Sequence, residues 1–194
     1  MDPLVLQRRI RRLEVLLLLA VGGLSVVAFR PQDDTVSTKL LRIVDSQGRT
    51  RLLIGAPLPD PQVQGTVYPR SRPVPGIMFV DTVGNETGGL GLFDDLQGGA
   101  LCFDYATAEA VCLTKAPTLG FVGLTMLDQP ATGSRVGVTG PERLQLAVAG
   151  GGAGLTVSDA QGRARLRVGL DSLGVPEVVF LNEQGEVQRR LGGQ

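Results

Sequence analysis

Two stretches set the pattern of this chain. "ERLQLAVA", residues 142–149, alternates Leu144, Leu146 and Val148 with Arg143, Gln145 and Ala147. "RARLRVGL", residues 163–170, alternates Leu166, Val168 and Leu170 with Arg165, Arg167 and Gly169. A period of two sends successive side chains to opposite faces, so each stretch predicts a strand with one buried and one exposed face. "GIMFV" from Gly76 and "FVGLTML" from Phe121 are apolar at both parities. They predict central strands, or strands covered by a partner.

A shared turn punctuates these runs. Asp45-x-x-Gly48, Asp81-x-x-Gly84, Asp95-x-x-Gly98, Asp159-x-x-Gly162, Asp171-x-x-Gly174 and Asn182-x-x-Gly185 all stand at the ends of apolar runs. An Asp or Asn side chain accepts from a backbone N–H two residues on. Glycine at the fourth position supplies the positive φ that closes a type I turn with a bulge. The device occurs in two near copies, "IVDSQGRTRLLIG" at 43–55 and "VSDAQGRARLRVG" at 157–169. Arg49, Arg51, Arg163 and Arg165 are expected to project outward from it. The glycine-rich run from Gly150 to Gly154 is expected to link strands. Towards the carboxyl end the turns recur about every 11–12 residues. That spacing predicts a mainly β fold: an antiparallel hairpin meander, sandwich-like or barrel-like, with a β-solenoid as the alternative.

Ahead of the strands, residues 15–29 run for fifteen positions without a charge. With residues 13 and 14 the segment would span about 25 Å as a helix, against a hydrocarbon core of about 30 Å. Arg8, Arg9, Arg11 and Arg12 precede it, while only Arg30, Asp33 and Asp34 follow closely. The positive-inside rule then sets the topology. Residues 1–12 form an arginine-rich cytoplasmic end, 13–29 a transmembrane helix and 30–38 a linker. Residues 39–194 form the extracytoplasmic β domain. The competing reading is a secretory leader cleaved after Val26-x-Ala28.

Composition narrows the chemistry. The 194 residues carry 19 basic and 19 acidic side chains, so no basic excess drives nucleic-acid binding. Histidine is absent, which excludes Ser-His-Asp and Cys-His catalysis and histidine-ligated metals. No cofactor or small-molecule substrate is expected. Each Asp turn offers one carboxylate, too few for a calcium loop. A hydrolase pairing Asp94 or Asp95 with Glu109 is the remaining catalytic reading, and the least favoured.

Two further segments are candidates for function. Residues 56–76 hold half of the twelve prolines and no strand pattern. Proline stiffens such a segment, so it loses less entropy on docking. Pro57, Pro59, Pro61, Tyr68, Arg70, Arg72, Pro73 and Pro75 are therefore candidates for a partner-binding arm; a flexible surface loop is the other reading. Cys102 and Cys112 flank a stretch that reads as a hairpin bend. They form a disulfide if the strands pair in that register; otherwise they are two small buried hydrophobes.

One N-terminal apolar segment followed by "h-x-D-x-x-G-R-x-R-L-x-h-G" hairpins resembles single-pass bacterial envelope proteins of unknown function. Residues 40–55, 77–93 and 155–191 carry the resemblance. It implies a β-rich periplasmic domain on the bacterial inner membrane and no known chemistry. With its anchor and lack of catalytic residues, the chain also looks like an accessory subunit of a bacterial photosynthetic reaction-centre and antenna assembly. Such a subunit would be a non-pigmented brace, since antenna proteins usually ligate bacteriochlorophyll through histidine. The expected partners are other membrane subunits and the lipid bilayer. The alternative function is an anchored module that binds a soluble ligand, protein or polysaccharide.

Overall fold

The computed structural model describes residue 7, residues 11–19 and residues 35–192. The chain divides into two units, Met1–Thr38 and Lys39–Gln194. In the first, residues 11–19 are α-helical, as their run of leucines favours. No helix among the described residues is long and apolar enough to cross a membrane. Arg8, Arg9 and residues 20–29 of the expected span lie outside the described residues, as do 30–34 of the linker.

The second unit is built of strands. They are β1 (Leu40–Val44), β2 (Thr50–Gly55), β3 (Gln62–Val63), β4 (Thr66–Val67), β5 (Gly76–Val80), β6 (Glu86–Phe93) and β7 (Gly98–Asp104). Then follow β8 (Glu109–Ala116), β9 (Phe121–Leu127), β10 (Glu142–Ala149), β11 (Gly152–Ser158), β12 (Ala164–Leu170), β13 (Pro176–Leu181) and β14 (Val187–Gly192). Twelve of them form one sheet in the order β1-β2-β5-β6-β7-β8-β9-β10-β11-β12-β13-β14, and β3 pairs with β4 apart from it.

Every pairing is antiparallel. That is the meander predicted by the turn spacing, and it removes the solenoid alternative, whose coils stack in parallel. Closure into a sandwich or barrel is not seen: β1 and β14 are the two edges of an open sheet. Both edge strands carry cations, Arg42 on β1 and Arg189 and Arg190 on β14, and such charges discourage further strands from adding. "GIMFV" is β5, between β2 and β6, and "FVGLTML" lies within β9, between β8 and β10.

The repeated turn is the same object in both copies. Asp45 Oδ1 accepts the N–H groups of Gln47 and Arg49 at 2.9 and 3.0 Å. Asp159 Oδ1 accepts those of Gln161 and Arg163 at 3.0 Å each. Gly48 and Gly162 sit at φ of 78° and 79°, the conformation glycine adopts at no steric cost. The pairing register slips where each turn joins its strands, between Ile43 and Val44 and between Val157 and Ser158, which is the bulge. The turns at Asp81 and Asn182 repeat the arrangement.

The arginines beyond the turn are not free. Arg49 Nε lies 2.8 Å from Asp45 Oδ2, and Arg163 Nε lies 2.8 Å from Asp159 Oδ2. Arg51 Nε donates to the Val80 carbonyl on the next strand at 3.1 Å. Desolvation opposes ionisation of Asp45 and Asp159, but the hydrogen bonds and the adjacent guanidinium outweigh it and lower both pKa values.

Asp95-x-x-Gly98 departs from the pattern. There a 3-10 turn covers Asp94–Leu96, and the left-handed residue is Gln97, at φ 49°. Gly98 opens β7 instead. A Cβ on it would stand 2.0 Å from the Lys115 carbonyl oxygen, so the glycine serves strand approach rather than the bend.

Candidate interaction surface

Direct cross-strand partners point to the same face, so the registers can be followed across the whole sheet. One row runs Leu41, Ile54, Ile77, Leu90, Leu101, Leu113, Leu124, Leu146, Leu155, Val168, Val178, Leu191. Every one of the twelve strands contributes an aliphatic side chain to it. The row on one side runs from Ile43 and Leu52 through Phe79, Gly88, Phe103, Val111, Met126, Leu144, Val157 and Leu166 to Phe180 and Arg189. On the other side lie Leu92, Gly99, Lys115, Val122, Val148, Ala153, Leu170 and Pro176. Across the three rows the charges are Lys115 and the edge residue Arg189.

The opposite face is built differently. Its facing row includes Gly55, Gly76, Gly91, Ala100, Thr114, Gly123, Ala147, Gly154 and Gly169. At Gly76 a Cβ would lie 1.9 Å from the Leu90 oxygen, and at Gly169 2.3 Å from the Ala153 oxygen. Only residues without a side chain let neighbouring strands close in there.

The apolar face is the exposed one. Leu113 is 54% exposed, Leu146 52% and Val148 57%, where the alternation predicted a buried face. The small core lies on the other side of the sheet, where Leu58, Met78 and Val80 cluster with Leu53. Over Gly99 the apolar face opens into a hollow of about 620 Å³ lined by Leu90, Leu92, Leu101, Leu113, Lys115 and Val122. Contiguous apolar surface of this kind marks an interaction site.

No protein family model and no curated protein matches this chain.

The proline-rich segment is not a bare arm. It contains the β3–β4 hairpin and folds back on the glycine-rich face of its own sheet. Leu58 and Val74 are its buried anchors, and the Leu58 N–H donates to the Val74 carbonyl at 2.8 Å. Neither anchor stood out in the sequence, because nothing local distinguishes them from the prolines around them. Arg70 is held by its N–H on Asp60 Oδ1, its Nε on the Pro59 carbonyl, and an ion pair to Glu86 at 3.2 Å. Arg72 pairs with Asp95 and lies over the Phe93 ring at 5.5 Å. Pro61 and Pro75 are half-buried, whereas Pro57, Pro59, Tyr68 and Pro73 are exposed. Gly65, at the hairpin tip, donates to Asn85 Oδ1 at 2.9 Å. Both arginines of the segment are thus committed within the chain.

Cys102 and Cys112 face each other across β7 and β8, with Cα atoms 4.2 Å apart, and are joined as a disulfide. Arg11 and Arg12 lie exposed on the described helical residues.

The carboxylates do not assemble as expected. Asp94 and Asp95 sit at one end of β7, and Glu109 pairs with Asp104 at the other. Six residues of strand separate the ends, about 20 Å, against the 5–9.5 Å spanned by a catalytic carboxyl pair. Asp95 is moreover paired with Arg72. The crowded carboxylate is Asp104, which the sequence did not single out. Burial, then the charges of Glu109 and Glu86, push its pKa up to about 6, and its Oδ1 is buried without a hydrogen-bond partner. Among the described residues no group of His, Cys, Asp and Glu is placed to hold a metal.

Proposed function

We propose that the chain is a non-catalytic accessory subunit of a larger bacterial membrane complex. Residues 13–29 serve as a single-pass anchor in the inner membrane, with the amino end cytoplasmic. The β domain lies in the periplasm and braces its neighbours. The observation that carries this reading is the uninterrupted apolar row across twelve strands. A soluble monomer rarely leaves so large an apolar face to water. The complex we favour is a photosynthetic reaction-centre and antenna assembly, where a subunit without histidine acts as a brace and ligates no pigment through imidazole.

The anchored binding module is the second reading, and the hollow over Gly99 favours it. An amphiphile with an anionic head would place its chain on the leucines and its head at Lys115. Mild-detergent extraction of native membranes separates the two readings. A stoichiometric place for this chain in a multi-subunit assembly supports the first. Its recovery as a separate species that carries a bound small molecule supports the second and contradicts the first.

A further inference from the structure

Three covers for the apolar face are in reach. The chain's own apolar run is too short. Fifteen residues make a helix of about 22 Å, and a helix is about 10 Å wide. The face extends over twelve strands, about 53 Å at a 4.8 Å spacing, with three side-chain rows spread over about 20 Å. The proline-rich segment, the other natural cover, is already committed to the opposite face through Leu58 and Val74. A second copy fits the dimensions. The face offers about 1,000 Å² per chain, so two copies would bury about 2,000 Å² together, within the range of stable dimers. Its composition suits self-pairing too. Aliphatic rows meet their own kind, and the one charge away from the sheet edge, Lys115, sits next to the end of β8, where its stem can lie on the apolar surface with its ammonium at the rim.

We propose that the β domain forms a symmetric homodimer in which the two apolar faces pack as a sandwich. This rests on the reading of that face as an interface and names its occupant. The sheets would lie about 10 Å apart, with aliphatic side chains such as Leu146 and Val148 of one copy filling hollows in the other. A two-fold axis relating two stacked faces lies in the plane between them. When the faces overlap fully it passes over their centre, between β8 and β9, so the middle row there meets itself. Leu113 is at that point.

The test uses the full chain in its native membrane. The two native cysteines are bonded to each other and no free cysteine is present, so Leu113→Cys adds the only thiol. The Cα atoms of the two copies would lie about 10 Å apart, beyond the reach of a disulfide, so a short bismaleimide should join the two thiols and give a band at twice the 20.4 kDa chain mass. Ser172→Cys, in the turn after β12, should stay at the chain mass. In mild detergent, light scattering should give a dimer for the unaltered chain and a monomer with unchanged β circular dichroism for Leu113→Glu. That variant changes a side chain already exposed in the single chain, so its fold should survive. A monomeric unaltered chain, or a Leu113→Cys that never crosslinks, overturns the dimer. A monomer that binds neutral phosphatidylcholine vesicles through Leu113 overturns it in favour of lipid. If the dimer fails while residue 146 is shielded in native membranes, the interface reading stands and its occupant is a different protein. If residue 146 is open as well, both fail.

Discussion

Phe79 and Phe103 stack across the strand that separates them, with ring centroids 5.7 Å apart and planes 21° from parallel. Gly88 is the direct partner of both. Strands two apart are about 9.6 Å distant, so the rings lean together only because the residue between them has no side chain. Gly88 also holds φ at 135°, and a Cβ there would come within 2.4 Å of the Cys102 oxygen. Gly88→Ala should therefore destabilise the fold by about 2–4 kcal/mol, combining backbone strain with a clash against main chain. Phe103→Ala, at a half-exposed ring, should lose about 1 kcal/mol. Urea titrations of the two variants in parallel check the order.

Asp104 sets a pH dependence opposite in sign to that of the turn aspartates. Its folded-state pKa is raised to about 6 from 3.8. Between those values the folded chain binds more protons than the unfolded one, so stability falls as pH rises through the window. Below pH 4 the carboxyl is protonated in both states and the penalty vanishes. Asp104→Asn should match the unaltered chain near pH 4 and exceed it by about 1–2 kcal/mol at pH 7.5, after discounting for partial exposure. A pair of denaturation series across pH 4–8 measures this.

Asp159 works the other way. Its pKa is lowered, because the hydrogen bonds and charge of Arg163 outweigh desolvation, so its contribution is present above the unfolded value and fades as acid protonates it. Asn182 shows that an amide can fill the position, accepting from the Gln184 and Glu186 N–H groups at 3.0 and 2.8 Å. Asp159→Asn should keep the turn and lose only the acid sensitivity, whereas Asp159→Ala should lower the melting temperature at every pH. Thermal melts at pH 3.5 and 7 distinguish the two.

The disulfide closes a short loop, with its cysteines ten apart in sequence. Removing it by the double change Cys102→Ala and Cys112→Ala should cost about 2–3 kcal/mol by loop-closure entropy. The reduced, unaltered chain should show a similar loss in denaturant midpoint.

What the sequence reveals divides by range. The turns are legible because their chemistry is local: Asp45, Gly48 and Arg49 lie within five residues and close on one another. The strands are legible because alternation is a property of the strand itself. Which face is covered is not, since period two says only that the faces differ. Leu146 and Val148 read as core by their pattern and prove exposed, because nothing among the described residues lies over them. Gly76 and Gly169 read as ordinary strand positions and Gly98 as a turn residue. Their role, close strand approach, depends on the carbonyl of a neighbouring strand. Asp104 is unremarkable in "CFDYAT" and becomes perturbed only where β6 and β8 bring Glu86 and Glu109 beside it. Leu58 and Val74 lie among prolines, and their burial is set by where the segment lands on the sheet.

Thiol accessibility shows whether the apolar face is an interface in the working assembly. Leu146→Cys places a probe in the middle row, and Ser172→Cys places one in an exposed turn. Both would be labelled in spheroplasts with a membrane-impermeant maleimide, before and after denaturation. The thiol at 172 should react at once, and the thiol at 146 should stay shielded until the assembly is unfolded. Equal labelling rates at the two positions in the native state would contradict it.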